Sequence, residues 1–158
     1  MTLAAPRASL HAAAVIVGEA GILIRGASGT GKSSLALAVI EAARLRGLFA
    51  SLVADDRVLI ESRSARLIAR PHPAIAGKVE RRGQGIGPVG HEAAVVLRCV
   101  MDFAPAVGEL GAPDRMPDEC DSLTMIENVQ LPRLTVPAGL GASETARILL
   151  DFIARRPL

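Results

Sequence analysis

Apolar residues in this chain fall mostly into short runs, which is the pattern typical of a fold rich in β-strands. The runs are four to eight residues long, partly β-branched, and bounded by glycine, proline or charged residues. They cover residues 12–17, 21–25, 49–54, 57–60, 65–69 and 93–100. Each run predicts a strand. The polar residues 61–64 between two of the runs predict a turn, and therefore an antiparallel hairpin.

Two segments have a helical pattern instead. Residues 33–44 contain few residue types that disfavour a helix. In residues 143–155 the apolar positions recur at steps of three and four, as one buried face requires, and they are Ala146, Leu149, Leu150 and Ile153. Ser143 is predicted to cap the N-terminus of this helix.

Residues 102–121, with several glycines and prolines, predict an irregular connection. So many strands with so few helices favour a strand-rich α/β core over a doubly wound fold.

Residues 26–33, between the apolar run 21–25 and the first predicted helix, have the spacing of a phosphate-binding loop. A glycine at each end lets the backbone curl around a phosphate, with several N–H groups pointing into one concavity at the start of the helix. Lys32 would then reach the β- and γ-phosphates, and the Ser33 hydroxyl would bind Mg²⁺. The alternative is a Gly/Ser-rich turn that matches by chance. The predicted nucleotide contacts are Gly26, Ala27, Ser28, Gly29, Thr30, Gly31, Lys32 and Ser33.

A pair of adjacent carboxylates is the second chemical signal. The apolar run 49–54 ends in Asp55 and Asp56, which places acidic groups at the carboxyl edge of the sheet, beside the predicted nucleotide. One carboxylate could hold Mg²⁺ or its water, while the other accepts a proton from an incoming hydroxyl. A merely solvated strand end is the alternative.

Composition narrows the class of protein. The 158 residues are enough for one domain, predicted to span 1–158. A formal charge of +2 and only three phenylalanines as aromatic residues make nucleic acid an unfavoured partner. No apolar segment reaches the length of about 18 residues that a membrane helix needs, and the N-terminus lacks a signal-peptide pattern. We therefore expect a soluble, cytoplasmic protein. Because Cys99 lies in the apolar run 93–100, we expect it to be a buried free thiol.

Taken together, the motifs resemble the catalytic domain of the bacterial HPr kinase/phosphorylase family. His11 lies fifteen residues before Gly26, which is the spacing of a histidine in that family. Residues 80–86 match the family signature Glu-x-Arg-Gly-x-Gly-Ile at every fixed position. The later Asp-Arg pair of the family corresponds to Asp114 and Arg115. The resemblance covers nearly the whole chain, with the motifs in the family's order.

This resemblance implies a fold, two cofactors and a set of roles. The fold would be the strand-rich P-loop kinase core of the HPr kinase and PEP carboxykinase type, an α/β fold with two main helices, and the cofactors would be ATP and Mg²⁺. Ser33, Asp55 and Glu80 would organise the metal, and Asp56 would accept the proton. The remaining catalytic residues would be His11, Lys32 and Arg115.

The implied function is phosphorylation of a serine on an HPr-like phosphocarrier protein by a homohexameric kinase, in a short form without the family's N-terminal domain. Two alternatives remain, a kinase of small molecules and a regulatory module that binds ATP without catalysis. The chain also departs from the family pattern. Ser34 stands where a glutamate is usual, and the segment from the loop to the aspartate pair is longer. Residues 136–142 lack the arginine of the family's Pro-x-x-Pro-Gly-Arg loop. We therefore expect dephosphorylating activity to be weak or lost.

Overall fold

A computed structural model describes residues 8–73, 78–81, 85–88, 91–104 and 123–156, the two short stretches 78–81 and 85–88 by their main chain only. Eleven strands and two helices lie within these ranges. The strands are β1 (Ala8–Leu10), β2 (Ala13–Val17), β3 (Ala20–Arg25), β4 (Ala50–Ala54), β5 (Val58–Arg63), β6 (Arg66–Pro71), β7 (Lys78–Arg81), β8 (Gly85–Pro88), β9 (Val95–Ala104), β10 (Leu123–Ile126) and β11 (Val129–Pro137). The helices are α1 (Lys32–Leu45) and α2 (Ala142–Ala154).

The main sheet brings the ends of four strands to one edge. Its order is β1-β5-β6-β9-β3-β2-β4, and β11 also pairs with β9 and carries β10 on its other side. Strand β9 is parallel to both β3 and β11. Because β2 is antiparallel to β3 and to β4, strands β3 and β4 run in the same direction. The carboxyl ends of β3, β4, β9 and β11 therefore meet at one edge of the sheet.

Apolar side chains cover both faces of this sheet. Strand β3 is buried up to Ile24, and its alternation sends Ile22 and Ile24 to the face covered by α1 and α2, while Leu23 packs in the core of the opposite face. The two helices also pack against each other. Cys99 lies in the helix-side core, and burial raises the pKa of its thiol to about 12. The predicted buried free thiol is confirmed.

The strands and helices that the sequence predicts are all present. The six apolar runs form β2, β3, β4, β5, β6 and β9, and the two helices begin and end within a residue of their predicted bounds. The antiparallel hairpin of β5 and β6 is also confirmed. Among the helices of the described ranges, none is long and apolar enough to span a membrane.

The turn of that hairpin was predicted in the wrong place. The turn consists of Ser64 and Ala65 alone, both with positive φ (52° and 62°), and Arg63 pairs with Arg66 across it. A two-residue turn with two positive φ angles matches the twist of the strands that it joins. Residues 61–63 therefore extend β5 instead of leaving the sheet, and Glu61 is buried in contact with Arg63.

Two further predictions are corrected. Ser143 does not cap α2, because the helix already begins at Ala142 after Gly141, and no side chain caps it. The irregular connection was predicted to begin at residue 102, yet Asp102 and Phe103 belong to β9. The rest of that connection, residues 105–121, lies outside the described residues.

Candidate functional site

The loop of residues 26–33 joins β3 to α1, and glycine is required at two of its positions. A Cβ on Gly26 would lie 2.7 Å from Thr30 Oγ1 and 3.1 Å from Phe103, so a larger residue would displace the loop. Gly31 has φ of 93° and directly precedes α1, a conformation that residues with a side chain rarely adopt. The Thr30 N–H and hydroxyl both donate to Ala27 O, at 3.2 and 2.7 Å. The loop is therefore a fixed turn closed on itself.

The start of α1 presents free hydrogen-bond donors to this turn. Among the described residues, the backbone N–H groups of Gly29, Gly31 and Lys32 have no backbone acceptor. The first turn of α1 contains no acidic side chain. Unpaired N–H groups at the positive end of a helix dipole attract anions. The arrangement fits a bound phosphate group.

Lys32 lies along the loop with its side chain largely buried. Its Nζ donates to Gly26 O at 2.8 Å and to Ala27 O at 3.1 Å. An ammonium group has three donors, so one remains for a ligand in the loop. The lysine thus contributes a positive charge that is already positioned by the backbone.

Ser33 and Asp55 connect the start of α1 to the end of β4. The Ser33 hydroxyl lies 2.7 Å from Asp55 Oδ1 and 2.9 Å from Oδ2, and donates to this carboxylate. Asp55 is only 4% exposed. A hydroxyl and a carboxylate are hard oxygen ligands of the kind that Mg²⁺ takes, usually as one or two protein ligands with phosphates and waters completing the shell. These two side chains fit that role.

Asp56 has a different hydrogen-bond partner from Asp55 although the two are adjacent in sequence. Its φ of 66° is in the left-handed region, and the Arg57 N–H donates to Asp55 O at 2.8 Å across the resulting tight turn. Aspartate tolerates this conformation better than most residues. Asp56 Oδ1 accepts a hydrogen bond of 2.7 Å from His11 Nε2, and both side chains are more than half exposed. The pair is open to a large partner.

These groups line a single cavity of about 290 Å³, called here the charged cavity. It brings together four ionisable side chains, His11, Lys32, Asp55 and Asp56, with the Ser33 hydroxyl and the backbone of the loop. Within the described ranges, no group of three or more His, Cys, Asp or Glu side chains is placed to hold a metal by itself. A metal here would depend on oxygens of a bound ligand, as Mg²⁺ does with phosphates.

Two of the predicted site residues are not placed beside this cavity by the structure. Glu80 belongs to β7, where its main chain pairs with Ile86 of β8, and the described part of β7 does not include side chains. Arg115 lies outside the described residues. The roles predicted for Glu80 and Arg115 stay predictions.

A second cavity of about 340 Å³ lies on the other side of the loop, and is called here the uncharged cavity. Its walls are the loop and the start of α1 on one side, and Phe103, the turn at Gly139 and Gly141, and Thr145 of α2 on the other. Sequence reasoning missed Phe103, because this residue fell within the irregular connection that was predicted for residues 102–121. The available signal was its rarity, since the chain has three phenylalanines and no other aromatic residue.

An ion pair inside the sheet joins the strands that lead to the two cavities. Arg25, the last residue of β3, donates to both oxygens of Asp102 in β9, each at 2.7 Å. Arg133 of β11 lies 3.7 Å from the same carboxylate. Sequence reasoning did not find this contact, because the partners lie 77 positions apart. The pair fixes β3, and hence the loop that follows it, to the strand that carries Phe103.

The fold and the site define a strand-rich α/β protein that carries a phosphate-loop sequence between a strand and a helix. A comparison with known protein families identifies the family to which this fold and site belong. The family model described as the HPr serine kinase C-terminal domain matches residues 2–155, and the chain belongs to this family. The resemblance inferred from the sequence motifs is confirmed.

Individual relatives agree with this assignment. An HPr kinase/phosphorylase of Limosilactobacillus reuteri is 33% identical over 144 residues, which cover 87% of this chain and 43% of the relative. One from Mycoplasma mycoides subsp. mycoides is 38% identical over 81 residues, which cover 51% of this chain and 24% of the relative. The chain thus spans less than half the length of these curated relatives.

A solved structure shows the same fold. The structure of the HPr(Ser) kinase/phosphatase from Coxiella burnetii superposes with a TM-score of 0.72 and covers 94% of this chain and 97% of its own. Sequence identity is 20%, so this likeness shows the fold alone. The predicted fold class, a strand-rich α/β fold with two helices, is confirmed.

Proposed function

We propose that the chain is an ATP-dependent protein kinase domain that phosphorylates a serine hydroxyl on an HPr-like phosphocarrier protein. The observation that carries the proposal is the charged cavity, where Lys32, Ser33 and two differently oriented carboxylates meet in a member of this family. The names of the relatives support phosphoryl transfer to HPr, and the large exposure of Asp56 supports a protein as the acceptor.

The loop would bind the triphosphate through its free N–H groups and the ammonium group of Lys32. Ser33 and Asp55 would hold Mg²⁺, and Glu80 would assist from the hairpin of β7 and β8. The metal, when bound, would neutralise charge on the β- and γ-phosphates. Arg115 would act on the same charge, because a guanidinium suits phosphoryl oxygens.

Asp56 would serve as the general base. The seryl hydroxyl passes its proton to the carboxylate of Asp56 as its oxygen forms a bond to the γ-phosphorus, and the bond from that phosphorus to ADP breaks. His11 holds one oxygen, Oδ1, by a hydrogen bond. The carboxylate is thereby oriented with Oδ2 available to the incoming hydroxyl.

Incubation with labelled ATP and a panel of acceptors would separate this function from its alternatives. We expect label on phosphocarrier proteins and none on variants in which the acceptor serine is replaced by alanine. Label on a small molecule alone would indicate a small-molecule kinase. ATP binding without transfer to any acceptor would indicate a regulatory module, although binding alone does not need the proton acceptor that Asp56 provides.

We also propose that dephosphorylation with inorganic phosphate is weak or absent. That reaction brings two anions together and needs cationic groups to offset their repulsion, and the residues of the loop 138–142 carry no charge. The nearest arginines in sequence have carboxylate partners, since Arg133 lies near Asp102 and Arg147 contacts Glu144 and Asp151.

Release of pyrophosphate tests this proposal directly. Phosphorylated carrier would be supplied with excess phosphate and no ATP, and the rate compared with that of the forward kinase reaction. We expect a much slower reverse reaction. Comparable rates would contradict the proposal and would point to another arginine, such as Arg82 or Arg115.

We also propose, as the resemblance of the motifs implies, a homohexamer in the cytoplasm, with no membrane or nucleic acid as partner. Sedimentation of the purified chain would test the assembly. A monomer at micromolar concentration would contradict it.

A further inference from the structure

The two cavities beside the loop differ in the chemistry that they offer. The charged cavity contains four ionisable side chains. Among the described residues that line the uncharged cavity, none is ionisable, and the wall consists of glycines, small side chains, hydroxyls, Leu35 and Phe103. A charged ligand group would find no counter-charge there, so this cavity suits a group that is flat, neutral and partly apolar.

The two cavities lie next to each other along the loop. Gly29, Gly31 and Ser34 line both of them. A ligand whose phosphates lie against the loop and Lys32 would therefore pass Ser34, at the first turn of α1, and enter the uncharged cavity. One ligand could therefore place its charged phosphates in the charged cavity and a neutral group in the uncharged cavity.

We propose that the uncharged cavity binds the nucleoside half of the nucleotide, with the base against the ring of Phe103. This inference rests on the proposed function, because it assigns the other half of the same ligand. The volume of about 340 Å³ is within the range of ligand pockets, which starts near 300 Å³. Phe103 lies against the start of the loop, where a Cβ on Gly26 would come within 3.1 Å of it. The aromatic side chain is therefore held beside the phosphate site.

Two of the three hydroxyl groups in the wall already donate within the protein, and the third, that of Ser34, lies where the two cavities meet. Thr30 Oγ1 donates to Ala27 O, and Thr145 Oγ1 donates to Gly141 O at 2.8 Å. Both hydroxyls use their proton within the protein and keep only acceptor capacity toward a ligand. Stacking on Phe103 would then supply the main part of the affinity for the base.

The test compares ATP with inorganic tripolyphosphate, which has the phosphates and no nucleoside. Calorimetry with Mg²⁺ would measure both ligands on the wild type and on Phe103→Ala. We expect the affinity for ATP to fall at least about fivefold, since loss of one base–aromatic stack costs about that much or more. The affinity for tripolyphosphate should stay within about twofold.

Phe49→Ala is the matched control. Phe49 is 56% exposed and is not part of the lining of either cavity, so this variant should bind ATP like the wild type. A Phe103→Ala variant that loses ATP and tripolyphosphate equally would overturn the proposal, because the side chain would then act only through the loop. Failure of the wild type to bind either ligand would instead overturn the proposed function.

A second variant fills the cavity without removing core atoms. Ala142 is the first residue of α2 and lines the cavity, so Ala142→Leu adds bulk at a position that a helix accepts. We expect weaker binding of ATP and unchanged binding of tripolyphosphate. Unchanged ATP binding together with lost phosphorylation of the carrier would overturn the proposal and assign the cavity to the protein substrate.

Discussion

The two sides of the phosphate loop are built from different parts of the chain and have opposite chemistry. The charged cavity depends on residues close to the loop and on β4, namely Lys32, Ser33, Asp55, Asp56 and His11. The uncharged cavity also depends on Phe103 of β9, the turn after β11 and the start of α2, all from residue 103 onward. The reacting groups thus come from the first 56 residues, while the neutral wall is assembled by the parallel pairing of β3, β9 and β11.

This difference indicates how such a fold separates its tasks. The local half carries the charges, so changes there should alter phosphate, metal and proton handling. The distant half contributes no charged residue among the described residues that line the uncharged cavity, so changes to that lining should alter affinity without altering chemistry. Substitutions in each half test this separation.

Replacing the proposed base should have the largest effect. Asp56→Asn keeps the shape of the side chain and removes its basicity, so phosphoryl transfer should slow by about 10² to 10⁴. ATP affinity should change little, because Asp56 is bonded to His11 and makes no hydrogen bond to Lys32 or Ser33 of the loop. Single-turnover kinetics and calorimetry would measure the two quantities. A loss of ATP affinity as large as the loss of rate would break the separation.

Removing the loop cation should affect every phosphate ligand. Hydrogen bonds to charged groups contribute about 1.5–3 kcal/mol, so Lys32→Ala should lower the affinity for ATP by about 10- to 100-fold. The affinity for tripolyphosphate should fall by a similar factor, whereas Phe103→Ala should leave it nearly unchanged. Arg66→Ala, which removes an exposed cation at the turn of β5 and β6, is the control for net charge. Unchanged affinity in the Lys32 variant would show that the loop does not bind phosphate.

The two adjacent aspartates should separate in a titration with Mg²⁺. Asp55 accepts from Ser33 and is buried, whereas Asp56 is exposed beside His11. Groups around a bound metal typically change its affinity by about 10- to 100-fold, so Asp55→Asn should raise the Mg²⁺ requirement by about tenfold or more. Asp56→Asn should leave it unchanged. Identical titrations of the two variants would contradict the proposed division of roles.

The smallest effect concerns stability rather than chemistry. Asp102→Asn removes the charge that holds Arg25 by two hydrogen bonds of 2.7 Å in a partly buried site. The free energy of unfolding in urea should fall by about 1–3 kcal/mol. Asp151→Asn, in an exposed pair with Arg46 and Arg147, should lower it by about 0.5 kcal/mol or less. Equal losses of stability in the two variants would show that the ion pair between Arg25 and Asp102 stabilises the fold no more than an exposed pair does.

Local signals in the sequence singled out the residues that the structure brings together in the charged cavity. The strand, loop and helix from residue 21 to residue 44 are adjacent in sequence, and the pattern of glycines and apolar residues specifies them almost completely. The structure adds two contacts among these residues, Ser33 with Asp55 and His11 with Asp56. What the sequence did not predict is the left-handed conformation of Asp56 at the point where the two carboxylates take different partners.

Long-range pairing explains what was missed. Strands β10 and β11 contain alternating polar residues and two prolines, so they lack an apolar run of their own. They are stabilised by each other and by β9, which no local window contains. Strands β1, β7 and β8 are three or four residues long and are equally weak as local signals. The wall of the uncharged cavity depends on such pairings, and so Phe103 was overlooked.

The central claim, transfer of phosphate to a serine of a phosphocarrier protein, can be measured directly. The chain would be incubated with ATP, Mg²⁺ and an HPr-like protein, and mass spectrometry would locate any added phosphate. The account predicts one phosphate on a serine with the wild type, and almost none in the same time with Asp56→Asn. Phosphate on another residue type, or no phosphate on any carrier despite ATP binding, would contradict it.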